Sequence, residues 1–382
     1  MKKNILIVGD IASIHVYNYV KNVILHLDCD CTLYNFSKNV VQPYVDFYNE
    51  CGIKIIQGIS TEVYKNKGAL TFTKEMAKCL NEIGPFDILH VHQIRPSICP
   101  ALYIVRKLYK KIVLTYWGSD VYRISNLRSI STMPLLSVAD QVTMMTQDML
   151  EAYKKKWVHY FYCPDKVEVL DFGNMFYNRI AHFSKDVIGA KKDLGLNEKK
   201  YVCTIGYVGR PQMQQEKTIK SIVSNGKKLS DVLQIVIPAY GMDDKAYENI
   251  NVILRDSGFE YVIFRDFMME IKVSLLRAAT DIFIHSQTTD ALSCAMLEHL
   301  YAGSVVLNGS WLKYSSLDKN AIYYKSFDVL EKLPELLSET IEHFDDEHNY
   351  CKGNREKIEK ISSWDYLRNQ WLAIYYDKNT KS

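Results

Sequence analysis

Short runs of apolar residues recur along the chain, each followed by a turn and then by a segment with apolar positions at helical spacing. The first run, Asn4–Val8 (NILIV), ends in Gly9-Asp10. A continuous apolar run of this length predicts a parallel strand buried on both faces. Val16, Val20, Val23 and Leu27 then recur in steps of three and four, which predicts a helix over 13–27. Strand, turn and helix in that order open a βαβ unit. The rhythm continues with strands at 32–36, 54–56, 88–91, 112–116, 141–145 and 167–170. Helices are predicted at 70–83, 100–109, 132–139 and 148–156, the first of them stopped by Gly84-Pro85. A polar stretch, 176–200, interrupts the pattern with one helix signal at 190–194. A second set follows. Strands at 202–208, 233–238, 261–264, 282–285 and 305–307 alternate with helices at 218–229, 243–256, 270–278 and 293–302. Helical segments at 328–344 and 364–376 close the chain.

Strands alternating with helices imply parallel sheets covered on both faces. The expected fold is α/β, with two Rossmann-like doubly wound domains facing a cleft. Residues 1–175 are assigned to the first, 176–360 to the second, and 361–382 to a C-terminal helix that packs back on the first. Ligands of such sheets bind outside the carboxyl ends of the strands. The loops after strands are therefore where chemistry is sought.

Composition narrows the classes. Apolar residues make up 48% and charged residues 24% of 382, which fits folded domains and argues against disorder. A net charge of +3 gives no footprint for nucleic-acid binding. The nine cysteines are scattered, and Cys29 and Cys31 have no partner pair at zinc spacing. Free thiols in a reducing cytoplasm are the simplest reading. The opening apolar run is too short for a signal peptide, and no run of about 18 apolar residues occurs to span a membrane. Tyrosine is frequent at 27, either as compositional bias or as apolar body with polar tip in a sugar-binding site.

Residues 281–309 (DIFIHSQTTDALSCAMLEHLYAGSVVLNG) read as strand, loop, helix, stop and strand. The start of that helix offers bare N–H groups and a partial positive charge, a site for phosphate. Ala291, Leu292, Ser293 and Cys294 would supply the amides. Glu298, just over one turn in, has the chemistry to accept bonds from the two vicinal hydroxyls of a ribose. Asp290 either holds hydroxyls of a transferred sugar or caps the helix. In 204–222 a strand ends in Gly209-Arg210-Pro211, and Lys217 follows at a helix start. Arg210 and Lys217 are suited to neutralise a diphosphate leaving group, Lys217 being otherwise a surface residue. The adjacent acids Asp243-Asp244 and Asp345-Asp346 read as solvated, and no metal ligand set stands out. With two cations for the phosphates, no metal and no cofactor is required. In the first half, Trp117, Ser119 and Asp120 follow a strand in TYWGSD, and His15 follows the first strand. Trp117 either stacks on a sugar or fills core; Asp120 either binds a hydroxyl or caps a helix; His15 either reaches the ligand or is structural. His90 reads as buried and His92 as ligand-facing. Arg106, Lys107, Lys110, Lys111 and Lys154–Lys156, with Trp157, Tyr160, Phe161 and Tyr162, suit the surface of an anionic membrane, or form an ordinary solvated face.

DALSCAMLEHLYAGSVV resembles the signature of the family 4 retaining glycosyltransferases, with Asp290 and Glu298 at its two acidic positions. Gly209-Arg210 and Lys217 are similar to the family's Gly-Arg…Glu-Lys element. TYWGSD resembles its Thr-x-His-Gly-x-Asp loop, with Trp117 where the histidine usually stands. The resemblance implies the GT-B fold and transfer of a hexose-type sugar from a nucleoside-diphosphate donor with retention. It further implies a glycan or lipid-linked acceptor, action in cell-surface polysaccharide biosynthesis, and a cytoplasmic location or one on the inner face of the cell membrane. Two alternatives stay open. One is a nucleotide-sugar epimerase or hydrolase of the same fold. The other is a catalytically inactive partner of a glycan-assembly complex, which the Trp117 replacement favours.

Overall fold

The computed structural model describes residues 2–60, 66, 68–157, 164–225 and 229–376. The chain divides into two units, one made of the residues up to Gly173 together with those from Trp364 onward, the other of Asn174–Ser363.

The first unit holds a seven-stranded sheet. Its strands are β1 (Lys3–Gly9), β2 (Cys29–Asn35), β3 (Lys54–Gln57), β4 (Phe86–His92), β5 (Tyr109–Tyr116), β6 (Gln141–Met144) and β7 (Val167–Val169). They are parallel, in the order β3-β2-β1-β4-β5-β6-β7. The second unit holds β8 (Tyr201–Ile205), β9 (Leu233–Pro238), β10 (Glu260–Phe264), β11 (Ile282–His285), β12 (Val305–Gly309) and β13 (Lys325–Phe327). These are also parallel, in the order β10-β9-β8-β11-β12-β13. Strand order reverses between β1 and β4 in one sheet and between β8 and β11 in the other. Each reversal opens a crevice at the carboxyl ends of its strands.

Burial explains the runs. Ile5, Leu6, Ile7 and Val8 of β1 are all fully buried because helices cover both faces. In the second unit the faces separate cleanly along the strands. Cys203, Ile235, Ile282, Ile284 and Leu307 pack with Ile219, Ile222, Leu254 and Leu337. Val202 and Val236, on the alternate positions, pack with Ala190, Leu276 and Ala279. The helix Ala69–Ile83 buries Phe72, Met76, Ala77 and Leu80 and leaves its other faces polar. The helix Cys294–Ala302 is buried almost all round, so Glu298 and His299 are charged or polar residues inside the fold.

Differences from expectation have local causes. The helix Gln42–Glu50 was not expected, because its buried face is Tyr44 and Tyr48 rather than aliphatic. The polar stretch after the first unit holds the helix Tyr177–Phe183. The three residues of β13 make no apolar run, and the helix expected at 328–344 begins only at Leu333. Strand β8 stops at Ile205, before the expected 208, because Gly206 turns the chain at φ +65°. The helix Trp364–Ala373 lies on the first unit. There the Trp364 indole donates to Asn18 Oδ1 (2.7 Å), the Trp371 indole to the Asp171 carbonyl (2.8 Å), and Tyr375 Oη meets Tyr19 Oη at 2.9 Å.

Candidate functional sites at the two strand-order reversals

In the second unit, the loop after β8 and the loop after β11 are stapled together. The Thr288 amide donates to the Gln212 carbonyl (2.9 Å), Gln214 Nε2 to the Ser286 carbonyl (2.7 Å), and Ser286 Oγ to the Met213 carbonyl (3.0 Å). Gln215 Nε2 donates to the carbonyls of Ile205 and Pro238, both at 2.9 Å, and so ties the ends of β8 and β9. Gly209 is required here. A Cβ on it would lie 2.4 Å from the Ala239 carbonyl oxygen, too close for any side chain. These loops enclose a cavity of about 470 Å³ that is lined by Arg210, Gln214, Lys217, Asp243 and Thr288 among others. Arg210 and Lys217, separated by seven positions, are thus brought to one cavity, and both are exposed.

The helix after β11 starts where expected. Ser293 is its N-cap and accepts from the Met296 amide at 3.3 Å. Among the described residues, the amides of Ala291, Leu292, Ser293 and Cys294 make no hydrogen bond, so the bare helix start is present. Asp290 is not the cap. Its Oδ2 accepts from Tyr314 Oη at 2.8 Å, and its Oδ1 from Gln287 Nε2 at 3.2 Å. His285 Nε2 lies 2.9 Å from Tyr314 Oη and 3.6 Å from Asp290 Oδ2. Burial, and then the Asp290 carboxylate, push the Tyr314 phenol well above its ordinary range. It therefore stays protonated and donates to Asp290, and so accepts from His285 Nε2. The Asp290–Glu298 segment does not line the cavity of Arg210 and Lys217; from the β11 loop, Thr288 does.

Glu298 is almost sealed. Oε2 accepts from Arg277 Nε at 2.9 Å, and Oε1 from Asn174 Nδ2 at 2.8 Å, with the Arg277 and Glu298 side chains 6% and 4% exposed. Arg277 Nη1 also meets His299 Nε2 at 3.2 Å. Burial, and then Arg277, hold that imidazole well below its ordinary range, so it accepts. His285, Tyr314, Arg277 and Asn174 were not anticipated. The signal was available for His285 alone, a polar residue ending the buried strand IFIH.

In the first unit, two adjoining cavities sit at the strand-order reversal. The smaller, about 180 Å³, is lined by Asp10, Ser13, His15, Val16, His92, Gln93, Trp117 and Ser119. His15 stacks on Trp117 with ring centroids 4.7 Å apart, and Phe172 meets the Trp117 ring edge-on at 4.6 Å. Trp117 is thus part of an aromatic cluster and also half-open to a cavity. His92 is buried there, and neither ring nitrogen has a hydrogen-bond partner among the described residues. Burial holds it at about 3, with His15 adding to the shift, so it is neutral at ordinary pH. His90 is buried between Tyr375 Oη and Thr115 Oγ1, each at 2.6 Å.

The larger cavity, about 640 Å³, is lined by Arg95, Ser119, Asp120, Arg123, Leu127 and Arg128 among others. Asp120 serves the loops. Its oxygens accept from the amides of Ile94 (2.9 Å), Trp117 (2.9 Å) and Gly118 (2.9 Å). It does not cap the helix Ser119–Tyr122, whose N-cap is Gly118 at φ +105°, a conformation that favours glycine. Burial raises the carboxyl to about 6, against the pull of those amides.

The basic comb expected for a membrane surface is largely tied down. Lys110 pairs with Asp87 at 2.7 Å, Lys111 donates to the Ile374 carbonyl at 2.5 Å, and Lys154 pairs with Glu151 at 3.1 Å. Lys156 donates to the carbonyls of Val121 and Ile124. Tyr160, Phe161, Tyr162 and the Trp157 side chain lie outside the described residues. Among the described residues, no helix is long and apolar enough to cross a membrane, and no three His, Cys, Asp or Glu are grouped to hold a metal ion.

Residues 4–142, within the first unit, match the family model for glycosyl transferase 4-like proteins. The match lies away from the 281–309 segment that carries the sequence resemblance. No curated protein matches the chain. Among solved structures, a glycosyltransferase from Rickettsia africae is 15% identical over 100% of both chains, with a TM-score of 0.75. Anabaena HepE, crystallised with UDP and glucose, is 11% identical over 98% of this chain and 99% of its own, with a TM-score of 0.74. Sucrose-phosphate synthase from Thermosynechococcus elongatus is 13% identical over 98% of each chain, with a TM-score of 0.70. At these identities the likeness is one of fold, and the fold is that of the GT-B glycosyltransferases.

Proposed function

We propose that the chain is a glycosyltransferase that takes a hexose-type sugar from a nucleoside-diphosphate donor and passes it, with retention, to a hydroxyl of a glycan or lipid-linked acceptor. The observation that carries the reading is the cavity at the β8–β11 reversal, where Arg210 and Lys217 converge beside the loop that leads into a bare helix start. Two cations on one cavity and unpaired amides suit a pyrophosphate. The matched family description and the UDP complexes of HepE, a protein of the same fold, support a nucleotide-sugar donor.

In this reading Arg210 and Lys217 take up the charge that builds on the leaving diphosphate as its bond to the anomeric carbon breaks. Positive charge on the cavity wall stabilises that separated charge more than the bound donor. The amides of Ala291, Leu292, Ser293 and Cys294 share the same load. Asp290, held by Tyr314 and Gln287, faces the hydroxyls of the sugar. Glu298 keeps a second lone pair on each oxygen, which a ribose diol would use. The leaving phosphate takes the acceptor proton, so no protein nucleophile is required. The charge-neutralising role falls on side chains, and the scheme needs no metal. The first unit, with His15, Trp117 and Ser119 around its smaller cavity, presents the acceptor. The pathway is cell-surface polysaccharide assembly on the cytoplasmic side of the membrane.

Titration calorimetry with UDP and a panel of UDP- and GDP-sugars tests the donor assignment. Arg210→Ala is expected to weaken nucleotide-diphosphate binding by about tenfold or more, since a charge-assisted contact is removed. Wild-type affinity in that variant, or no nucleotide binding by the unaltered chain, overturns the reading. Free sugar or an epimer released without acceptor would move the chain to hydrolase or epimerase.

A further inference from the structure

The larger cavity of the first unit has a composition that the transfer reaction does not by itself require. Three arginines line it, and the one acid among its lining residues is Asp120. That acid is spent on main-chain amides. Arg95 is fixed before any ligand arrives. Its Nε and Nη2 both donate to Gln93 Oε1, at 3.2 and 2.9 Å, and its guanidinium lies 4.5 Å above the Phe36 ring. Its Nη1 makes no hydrogen bond among the described residues. Asp10 and Asp120 are the acids whose fields reach it. Arg123 and Arg128 complete the set and are exposed.

Gln93 is held at φ +65°, a left-handed conformation that costs a non-glycine residue energy. Its side chain forms part of the wall shared by the two cavities, since Gln93 and Ser119 line both. Gln93 Nε2 reaches Ser119 Oγ at 3.2 Å. The strained residue therefore both positions Arg95 and joins the arginine cavity to the one that holds His15, His92 and Trp117.

We propose that the first unit binds an acceptor bearing a phosphate or diphosphate group, seated by Arg95, Arg123 and Arg128, with the hydroxyl to be glycosylated at the adjoining smaller cavity. The inference rests on the transferase reading for the word acceptor, and on the first unit alone for the anion site. Guanidinium groups suit the task because their planar forks match phosphate oxygens in pairs. A sugar phosphate and a lipid phosphate share this chemistry. Leu127, 79% exposed, and Ile130, 53% exposed, stand on the same short segment as Arg128 and give a lipid source an apolar contact.

The test uses the full chain carrying Arg210→Ala and Lys217→Ala, so that the donor cavity does not compete for the probe. Inorganic pyrophosphate titrated by calorimetry is expected to bind this protein. Adding Arg123→Gln and Arg128→Gln is expected to weaken it by about tenfold or more, because two charge-assisted contacts are lost. Both arginines are exposed, so folding is expected to survive, and circular dichroism checks it. A chain with only Arg123→Gln and Arg128→Gln keeps wild-type UDP affinity if the donor site is separate. Absence of pyrophosphate binding, or binding indifferent to the two arginines, overturns the inference whatever UDP does. Loss of the UDP result in Arg210→Ala instead strikes the donor reading and leaves the anion site standing. The source is settled by two further arms. Arginine-dependent sedimentation with phosphatidylcholine vesicles containing phosphatidic acid assigns a lipid phosphate. Arginine-dependent binding of glucose 6-phosphate without sedimentation assigns a soluble one.

Discussion

Asp120 in the first unit and Asp290 in the second both follow a strand near the reversal of their sheet, and they are held in opposite ways. Asp120 is buried and, among the described residues, accepts only from main-chain amides, those of Ile94, Trp117 and Gly118. Asp290 keeps a side chain 12% exposed and accepts from two side chains, Tyr314 and Gln287. Main-chain donors cannot leave without refolding the loop, so Asp120 shapes the site. Side-chain donors can reorient, so Asp290 can exchange a protein partner for a ligand hydroxyl. A carboxylate in the expected position of a motif is thus scaffold or ligand according to what already binds it.

The largest effect expected along this line comes from Glu298, which is held by side chains as Asp290 is but is buried as Asp120 is. Glu298→Ala leaves the Arg277 guanidinium buried without its counter-ion and strands Asn174. Breaking such a pair costs about 3–5 kcal/mol. A lowered melting temperature by differential scanning calorimetry is the expected result. Glu298→Gln, which retains the shape, separates this loss from a ribose contact: a ribose role predicts weaker UDP binding by folded protein. An unchanged melting temperature in Glu298→Ala would show that the pair is not buried as described.

The alternation of strands and helices, the loops that follow strands and the helix start at Ser293 were legible because each leaves a local trace. Apolar runs mark buried strands, and an apolar segment at helical spacing after a polar loop marks a helix start. The partners of the acids left no such trace. Tyr314 reaches Asp290 from beyond the next strand, and Asn174 and Arg277 reach Glu298 across 124 and 21 positions. Spacing alone carries no information on such contacts. The loop amides that hold Asp120 left no trace for the same reason, since backbone groups are ones that any sequence possesses. The family resemblance located Asp290 and Glu298 but gave no sign that one is nearly sealed and the other partly open.

Asp120→Asn is the next effect in size. The amide keeps one oxygen for Trp117 and Gly118 but turns an NH₂ toward the Ile94 amide, and two facing donors cost about 1–3 kcal/mol. The pH dependence carries a sign. The folded carboxyl sits near 6, above its ordinary 3.8, so the native state binds the proton more tightly than the unfolded chain. That contribution is present below the unfolded value and is lost as pH rises through 6. Asp171, also raised to about 6 by burial, acts in the same direction. Denaturant titrations between pH 4 and 7 should show stability falling as pH rises from these two groups, and a shallower fall in Asp120→Asn. An identical pH profile in the variant would mean that Asp120 does not titrate in this range.

Tyr314→Phe addresses the other side of the comparison. It removes one donor from Asp290 and the acceptor for His285 Nε2, leaving the cavity of Arg210 and Lys217 untouched. Loss of one such bond, about 1 kcal/mol, predicts a fall of roughly fivefold to tenfold in kcat with UDP affinity unchanged. A fall in nucleotide affinity instead would place Tyr314 with the diphosphate rather than with the sugar.

The smallest effect concerns two glutamines that hold the same unusual conformation in the two units. Gln93 at φ +65° and Gln214 at φ +53° each sit on the wall of a candidate cavity. Glycine at either position relieves the left-handed strain, about 1 kcal/mol, and gives up side-chain bonds of similar total worth. Folding stability should therefore change little in Gln93→Gly or Gln214→Gly. The ligands should tell them apart. Gln93→Gly frees Arg95 from its anchor, so pyrophosphate binding by a chain also carrying Arg210→Ala and Lys217→Ala should weaken several-fold while UDP binding to an otherwise unaltered chain is kept. Gln214→Gly loosens the staple to Ser286 and should do the reverse. If both variants weakened the same ligand, the two reversals would be one site, and the division of labour between acceptor anion and donor nucleotide would fall.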